Sequence, residues 1–208
     1  RHGRMSARRD FALNTLLPPL EIGDLPRPVD LRETFGLTKV IIDFGSGMGD
    51  HTLNLAEVQG HVGILAIDVH TAGLCEVAQF GHEAKLSNIR VHHGDGIDVL
   101  RDWLLPNSIS EMHILFPDPW PKIRHHKRRL IQQDFINLMA NVLEPNGMVR
   151  FVTDDLSYFE HTCLAFQENA NFESSPQDWD IPLTSYHKRA LRLGHTISGM
   201  SFRKLISS

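Results

Sequence analysis

The chain has 208 residues, of which 41% are hydrophobic and 22% charged, with a formal net charge of −4 when histidine is neutral. This composition indicates one folded domain and excludes a largely disordered chain, a disulfide framework and a globally basic nucleic-acid binder. No apolar run approaches the roughly 20 residues of a membrane-spanning helix, and we expect a cytoplasmic protein without a membrane partner. Positive charge is nevertheless concentrated, because two-thirds of the 21 Lys and Arg residues lie within residues 1–9, 122–129 and 188–204.

Strands and helices are predicted to alternate from residue 39 onward. Residues 1–38 are predicted to be a basic segment and linker, with a short helix over 7–17 that Pro18 ends. The predicted strands are 40–44, 62–67, 89–91, 112–116 and 148–153, and the predicted helices are 50–58, 71–86, 97–104, 130–143 and 157–169. The tail from residue 172 is ambiguous, with a possible last strand over 196–205. The alternation predicts an α/β fold with a doubly wound, mostly parallel sheet over residues 39–208.

A glycine-rich turn, DFGSGMGD at residues 43–50, follows the first predicted strand. Its spacing is G-x-G-x-G, at Gly45, Gly47 and Gly49, and differs from the G-x-G-x-x-G of dinucleotide sites. Asp50, an acid at the start of the next helix, opposes a pyrophosphate, which prefers the positive end of a helix dipole. The turn therefore favours a nucleoside-type cofactor with no phosphate at this point.

Carboxylates end three successive predicted strands, at Asp43, Asp68 and Asp95. Asp68 lies 19 residues after Gly49, a spacing that suits hydrogen bonds to a ribose diol. Asp95 is followed by Gly96, and its carboxylate suits an adenine amino group. S-adenosyl-L-methionine (SAM) carries a sulfonium and an ammonium but no phosphate, so it fits this set better than NAD. An NAD-dependent oxidoreductase remains the weaker alternative.

The loop after the fourth predicted strand reads FPDPWPKIRHHKRR, over residues 116–129. Three prolines stiffen it around Asp118 and Trp120 and leave little entropy to lose on binding. A Trp at the mouth of a crevice can stack on a base, and the cations that follow can neutralise phosphates. These cations are Lys122, Arg124, Lys127, Arg128 and Arg129.

This loop resembles the signature of the bacterial tRNA (guanine-N7)-methyltransferases, and the resemblance extends over most of the chain. The other segments that resemble this family are residues 3–6, the turn at 43–49, the segment 88–95 and the pair at 153–154. Asp43 and Asp68 stand where the family usually has Glu. Residues 184–189, TSYHKR, stand where the family has T-K-[FY]-E-x-R, with Ser185 and His187 as departures.

The resemblance implies a Rossmann-like, SAM-dependent methyltransferase fold with seven strands, the last antiparallel, and residues 39–208 as the methyltransferase domain. It implies methyl transfer from SAM to N7 of a guanosine in the tRNA variable loop. The implied cofactor residues are Asp43, Gly45, Gly47, Gly49, Asp68, Val69, Asp95, Gly96 and Asp118. The implied substrate residues are Lys122, Arg124, Lys127, Arg128, Arg129, Asp154, Thr184, His187 and Arg189. Asp118 is the expected catalytic residue, which would orient guanine by accepting from its N1–H and 2-amino groups.

Two other functions stay open at this point. Asp118-Pro119-Trp120 resembles the D-P-P-[YFW] loop of exocyclic-amine nucleic-acid methyltransferases, although the second proline is absent. A catalytically idle RNA-binding subunit on the same fold is the other alternative, which His187 keeps open. The expected partner is tRNA, with the protein a monomer or homodimer. No zinc-type Cys/His spacing occurs, so we expect no metal. We also expect no DNA partner.

Overall fold

The structure is a computed structural model that describes residues 7–176 and 179–206. The strands are β1 (Val40–Phe44), β2 (Gly63–Asp68), β3 (Ile89–His93), β4 (Ile109–Leu115), β5 (Leu143–Thr153), β6 (Phe172–Ser175) and β7 (Ser198–Lys204). The helices are α1 (Ala7–Phe11), α2 (Leu31–Phe35), α3 (Asp50–Val58), α4 (Thr71–Glu83), α5 (Gly96–Asp98), α6 (Gln133–Val142), α7 (Leu156–Gln167) and α8 (Ser185–Arg192). Two π-helical turns (Ala12–Leu16, Val99–Trp103) and two 3-10 turns (Pro18–Leu20, Ile123–Arg128) complete them.

All these strands form one seven-stranded sheet in the order β3-β2-β1-β4-β5-β7-β6. Every neighbouring pair from β3 to β5 is parallel, and β7 lies antiparallel between β5 and β6. The predicted α/β fold, with a mostly parallel sheet of seven strands and an antiparallel last strand, is therefore confirmed.

Helices cover both faces of the sheet, which explains why the central strands are apolar along their whole length. Successive residues of β1 point to opposite faces, so Ile41 joins one core cluster and Ile42 the other. In β2, Ile64 and Leu65 divide in the same way, and all six residues of that strand are buried. A strand buried on both faces shows a continuous apolar run rather than an alternating pattern.

The segment before β1 packs against the sheet. Ile22, Val29 and Leu31 are buried in the same core cluster as the central strands. The Ile22 amide donates to the carbonyl of Val91 in β3, at 3.0 Å. The boundary between residues 38 and 39 stays a prediction, and the predicted linker contributes these side chains to the core of the domain. The basic residues and motif at positions 1–6 lie outside the described residues.

The tail holds two elements that the sequence pattern does not resolve, β6 and α8. Of the residues of α8, Ala190 alone is buried, so the helix lacks the apolar stripe that would have predicted it. The predicted helix 97–104 is divided into α5 and a π-helical turn. Across residues 7–176 and 179–206, the helices are all too short or too polar to cross a bilayer.

Candidate active site

The glycine turn after β1 is held against β2 by backbone hydrogen bonds. The amides of Gly45 and Ser46 donate to the carbonyl of Ile67, at 2.9 and 3.0 Å. Gly47 and Gly49 adopt positive φ angles of 57° and 84°, where a side chain is strained. A Cβ at Gly49 would also overlap the neighbouring helix α4. Glycine is thus required at this turn by its backbone geometry and by close packing.

The three acids predicted at the strand ends lie along one edge of the sheet, because β1, β2 and β3 are parallel neighbours. Asp68 accepts hydrogen bonds from the amides of Gly47 and His70, each at 2.8 Å, and so fixes the turn. Asp95 caps the next helix by accepting from the Ile97 amide at 2.9 Å. Each carboxylate keeps further lone pairs, so these structural bonds leave room for a ligand.

Asp43 is buried and accepts a hydrogen bond from the Thr52 hydroxyl at 2.6 Å. Burial raises the pKa of this carboxyl from 3.8 to about 6, despite the opposing effects of Thr52 and His113. Its ionisation near neutral pH is therefore costly in the protein without a ligand. A cationic ligand beside Asp43 would offset that cost.

Asp43→Asn should remove one component of the pH dependence of stability. The folded-state pKa is raised, so the free energy of unfolding falls as pH rises from about 4 through 6. The amide does not titrate, and the wild type should therefore lose about 2 kcal/mol relative to the variant between pH 4 and 7. Urea unfolding of both proteins at these two pH values, without cofactor, measures the difference. Parallel pH profiles would contradict the assignment.

A cavity of about 630 Å³ joins the edge of the sheet to the loop after β4. Phe44, Val69 and Ile97 line one side, and Asp118 and Trp120 line the other. The volume falls in the range of about 300–1,000 Å³ that small-molecule sites occupy. Gly96 lies against the Phe44 ring on the first of these sides, since a Cβ at Gly96 would overlap that ring.

The loop that carries Asp118 is held in an uncommon backbone conformation. Phe116 and Trp120, on either side of the Pro-Asp-Pro segment, both have positive φ, 53° and 46°. Such residues cost about 1–3 kcal/mol each and persist where the surroundings enforce them. Here the Phe116 amide donates to the Val152 carbonyl at 2.7 Å, and Arg129 Nε donates to the Pro119 carbonyl at 2.9 Å. Asp118 is therefore presented on a constrained loop.

Arg129 does not share the environment of the other cations in the basic run. Its side chain is only 1% exposed, and its guanidinium donates to the carbonyl and hydroxyl of Ser157 as well as to Pro119. Asp155 lies 3.9 Å away. We therefore withdraw Arg129 from the residues expected to hold tRNA phosphates, because its donors are used within the protein.

The remaining predicted phosphate ligands are all exposed, on and beside the 3-10 turn Ile123–Arg128. These are Lys122, Arg124, Lys127 and Arg128. The Arg128 guanidinium lies over the Trp120 ring at 4.9 Å, which places this charge at the rim of the cavity.

Helix α8 covers the glycine turn and brings the predicted C-terminal substrate residues to the same edge. Thr184 caps the helix by accepting from the His187 amide at 3.2 Å. Ser185 donates to Asp50 from both its amide and its hydroxyl. The His187 ring lies 5.9 Å from Phe116, and Arg189 is exposed on the outer side of the helix.

Asp154 lies directly after β5. It accepts a hydrogen bond from His195 Nδ1 at 2.7 Å and so ties the end of β5 to the segment after α8. The structure thus gathers Asp118, Thr184 and His187 around one edge, and Asp154 and Arg189 flank them.

Sequence reasoning missed two buried polar residues, Ser46 in the glycine turn and His51 at the start of α3. Both border a second, small pocket between the glycine turn and α8. In the described part of the chain, Ser46 Oγ and His51 Nδ1 are buried without hydrogen-bond partners. The buried positions 51, 52, 55 and 56 of α3 follow a helical period, which could have placed His51 inside. No cluster of three or more metal-ligating side chains occurs in residues 7–176 and 179–206.

These features fit SAM. Left-handed glycines form the turn after β1, carboxylate acceptors lie at the strand ends, and two buried polar atoms beside the turn have no hydrogen-bond partner among the described residues. Fold and site together define the protein as a SAM-dependent methyltransferase.

Comparison with known proteins agrees with this class and identifies one family within it. The model of a family described as "Putative methyltransferase" matches residues 38–200. The chain is 37% identical to a tRNA (guanine-N(7)-)-methyltransferase of Streptomyces avermitilis, over 99% of this chain and 73% of that protein. It is also 37% identical to the protein of that name from Nitrosomonas eutropha, over 98% and 94% of the two chains. The chain belongs to the tRNA (guanine-N7)-methyltransferase family.

A more distant structural likeness supports the fold alone. The 16S rRNA methyltransferase KamB superposes with a TM-score of 0.63, covering 90% of this chain and 99% of that chain, at 14% identity.

Proposed function

We propose that this chain, in the cytoplasm and as a monomer or homodimer, transfers the methyl group of SAM to N7 of a guanosine in the tRNA variable loop. One observation carries the proposal: the cavity that joins Val69 and Ile97 to Asp118 and Trp120 opens beside exposed cations. A nucleoside cofactor on one side and a base on the other would then share one cavity. The relatives named tRNA (guanine-N(7)-)-methyltransferase support the choice of acceptor.

The cofactor side of the cavity is proposed to hold SAM through the strand-end acids and the glycine turn. Asp43, Gly45, Gly47, Gly49, Asp68, Val69, Asp95 and Gly96 are the proposed cofactor residues, with Asp118 between cofactor and substrate. Bound SAM supplies an electrophilic methyl group, and N7 of guanine supplies a lone pair without a proton to remove. The site therefore requires no strong general base, and its task is to position the base.

Asp118 is the proposed catalytic residue because its carboxylate can accept from both the N1–H and the 2-amino group of guanine. This pairing turns the opposite edge of the base, which carries N7, toward the cofactor side. The constrained loop keeps the carboxylate in place before the base arrives, and such positioning can supply roughly 7–11 kcal/mol of a barrier. Thr184, His187, Arg189 and Asp154 are proposed to complete the substrate side.

The exposed cations should give tRNA binding a steep salt dependence. Each neutralised phosphate releases counterions, so log affinity should fall with log salt at a slope of about −0.7 to −0.9 per contact. Replacing Lys122, Arg124, Lys127 and Arg128 by Gln should reduce the slope by about 3 and weaken binding at low salt. Titration of fluorescent tRNA at several salt concentrations measures both quantities. Replacement of the exposed Lys39 and Lys85, on other parts of the surface, is the control and should leave the slope unchanged.

Methyl transfer to unmodified tRNA transcripts tests the proposed function directly. Labelled SAM, digestion and nucleoside mapping should identify N7-methylguanosine in the variable loop. A transcript with 7-deazaguanosine at the mapped position offers no N7 and should accept no label. A methylated exocyclic amine would instead support the alternative enzyme. Tight SAM binding with no transfer to any transcript would support the idle RNA-binding subunit.

A further inference from the structure

The small pocket between the glycine turn and α8 contains two unsatisfied polar groups. His51 is 5% exposed and Ser46 9%, and both line this pocket of about 20 Å³ together with Asp43 and Tyr186. Buried polar atoms are nearly always paired, and an unpaired one typically costs about 1–3 kcal/mol. Two such atoms around one pocket beside the cofactor turn indicate a polar ligand group there.

A chain of hydrogen bonds determines whether His51 Nδ1 donates or accepts a hydrogen bond in the pocket. His51 Nε2 lies 2.7 Å from His113 Nδ1, and His113 Nε2 lies 3.0 Å from Glu111 Oε2. Glu111 also accepts from Arg150 Nε at 2.7 Å. The four side chains come from α3, β4 and β5, so the chain links the pocket to the interior of the sheet.

This chain of hydrogen bonds starts at Glu111, whose ionised carboxylate can only accept hydrogen bonds. Burial opposes ionisation of Glu111, but its bonds to His113 and Arg150 outweigh burial and lower its pKa to about 2. The ionised carboxylate accepts from His113 Nε2, and a His113 ring protonated on Nε2 alone presents Nδ1 to His51 as an acceptor. His51 must then carry its proton on Nε2. Burial lowers the pKa of His51 to about 3, so the ring stays neutral and Nδ1 keeps its lone pair.

We propose that His51 Nδ1 accepts a hydrogen bond from the α-ammonium of SAM, that the Ser46 hydroxyl donates to its α-carboxylate, and that Glu111 and His113 are positioning residues that fix the His51 tautomer. The inference rests on the proposed function only in requiring that the cofactor is SAM. An acceptor and a donor side by side match the two ends of a zwitterionic amino acid. In this structure the pocket has room for about one water, and the half-exposed Tyr186 must move for the amino-acid end to enter.

Two related nucleosides isolate this interaction from general damage to the site. S-adenosylhomocysteine carries the amino-acid end, and 5′-methylthioadenosine lacks it. His51→Phe should weaken binding of S-adenosylhomocysteine about tenfold to a hundredfold, as expected for a lost hydrogen bond to a charged group. Binding of 5′-methylthioadenosine should change less than about twofold. Calorimetry measures both, and equal losses, or no loss for either ligand, would overturn the proposal.

Ser46→Ala distinguishes recognition of the α-carboxylate from recognition of the α-ammonium. It should weaken S-adenosylhomocysteine but leave decarboxylated SAM unaffected, whereas His51→Phe should weaken both. If decarboxylated SAM responds to Ser46→Ala as strongly as S-adenosylhomocysteine does, the assignment of the carboxylate to Ser46 is wrong.

The positioning role has its own readout in the protonation of the imidazole nitrogens. Nitrogen-15 spectra of the wild type should show His51 with a protonated Nε2 and an unprotonated Nδ1. Glu111→Ala removes the acceptor that requires a proton on His113 Nε2, so the His51 ring should no longer be confined to the Nε2-protonated tautomer. This variant should weaken S-adenosylhomocysteine and spare 5′-methylthioadenosine. A protonated Nδ1 in the wild type would overturn the inference. Failure of the proposed function would appear separately, as nucleoside binding with no methyl transfer.

Discussion

Asp118→Ala should lower turnover by at least about a hundredfold, while S-adenosylhomocysteine affinity changes far less. The size follows from losing an oriented hydrogen-bonding group in an enclosed site. The carboxylate lies on a loop held by its own backbone bonds, so its removal should leave the loop in place. Single-turnover methylation with saturating tRNA, together with calorimetric cofactor binding, separates the two quantities.

Asp118→Asn adds a finer test of the same role. An amide oxygen can accept one hydrogen bond from guanine, but the amide group cannot accept the second. The Asn variant should therefore fall between the wild type and Ala. Asp102→Ala, at an exposed carboxylate outside the cavity, is the matched control and should retain full turnover. Equal losses of turnover and cofactor affinity in Asp118→Ala would contradict the proposed orientation of guanine.

Arg129→Ala should destabilise the protein by about 3–5 kcal/mol, the usual cost of removing one partner from a buried charged network. The Pro119 and Ser157 carbonyls would lose their donor, and Asp155 its nearest cation. The same change should free the loop that carries Asp118, so turnover should fall as well. Urea unfolding at neutral pH measures the stability, and Arg129→Lys should rescue little because an ammonium lacks the forked donors.

For the neighbouring residue, Arg128, we expect a loss of tRNA binding without a loss of stability. Arg128 is exposed and stacks on Trp120, so Arg128→Ala should change stability by less than about 0.5 kcal/mol. Arg128→Ala should weaken tRNA binding and reduce the slope of log affinity against log salt by about 0.7 to 0.9, the value for one phosphate contact. If Arg129→Ala behaved like Arg128→Ala in both assays, the structural role assigned to Arg129 would be wrong.

The contrast between these two arginines shows where sequence reasoning reaches its limit. The strands, the glycine turn and the meeting of Asp43, Asp68 and Asp95 at one edge follow from local patterns and from the geometry of parallel sheets. Adjacent letters in a charge run carry no signal for burial. Only the packing of α7 against the loop shows that Arg129 points inward.

Long-range pairing also lay beyond the sequence. His51 and His113 are separated by 62 positions and meet where the start of α3 contacts β4. The amide of Asn88, in the segment that resembles the family, donates to the carbonyls of Ala56 and Val62 and secures the connection into β2. Neither contact has a periodic signal. Helix α8 is largely polar, so its place over the glycine turn depends on Ser185 and Tyr186 contacts rather than on an apolar stripe.

Helix α8 stands between bulk water and the small pocket, with Ser185 bonded to Asp50 and Tyr186 against Gly47. Entry of the amino-acid end of a cofactor into this pocket requires Tyr186 on this helix to move, and so does departure of the demethylated product. Exchange of cofactor is then a conformational event with its own rate, distinct from methyl transfer. Because Arg189 lies on the outer side of the same helix, a tRNA bound there would hold the helix down and trap the cofactor until the RNA leaves. The order in which reactants arrive and depart would thus be set by one short, polar helix.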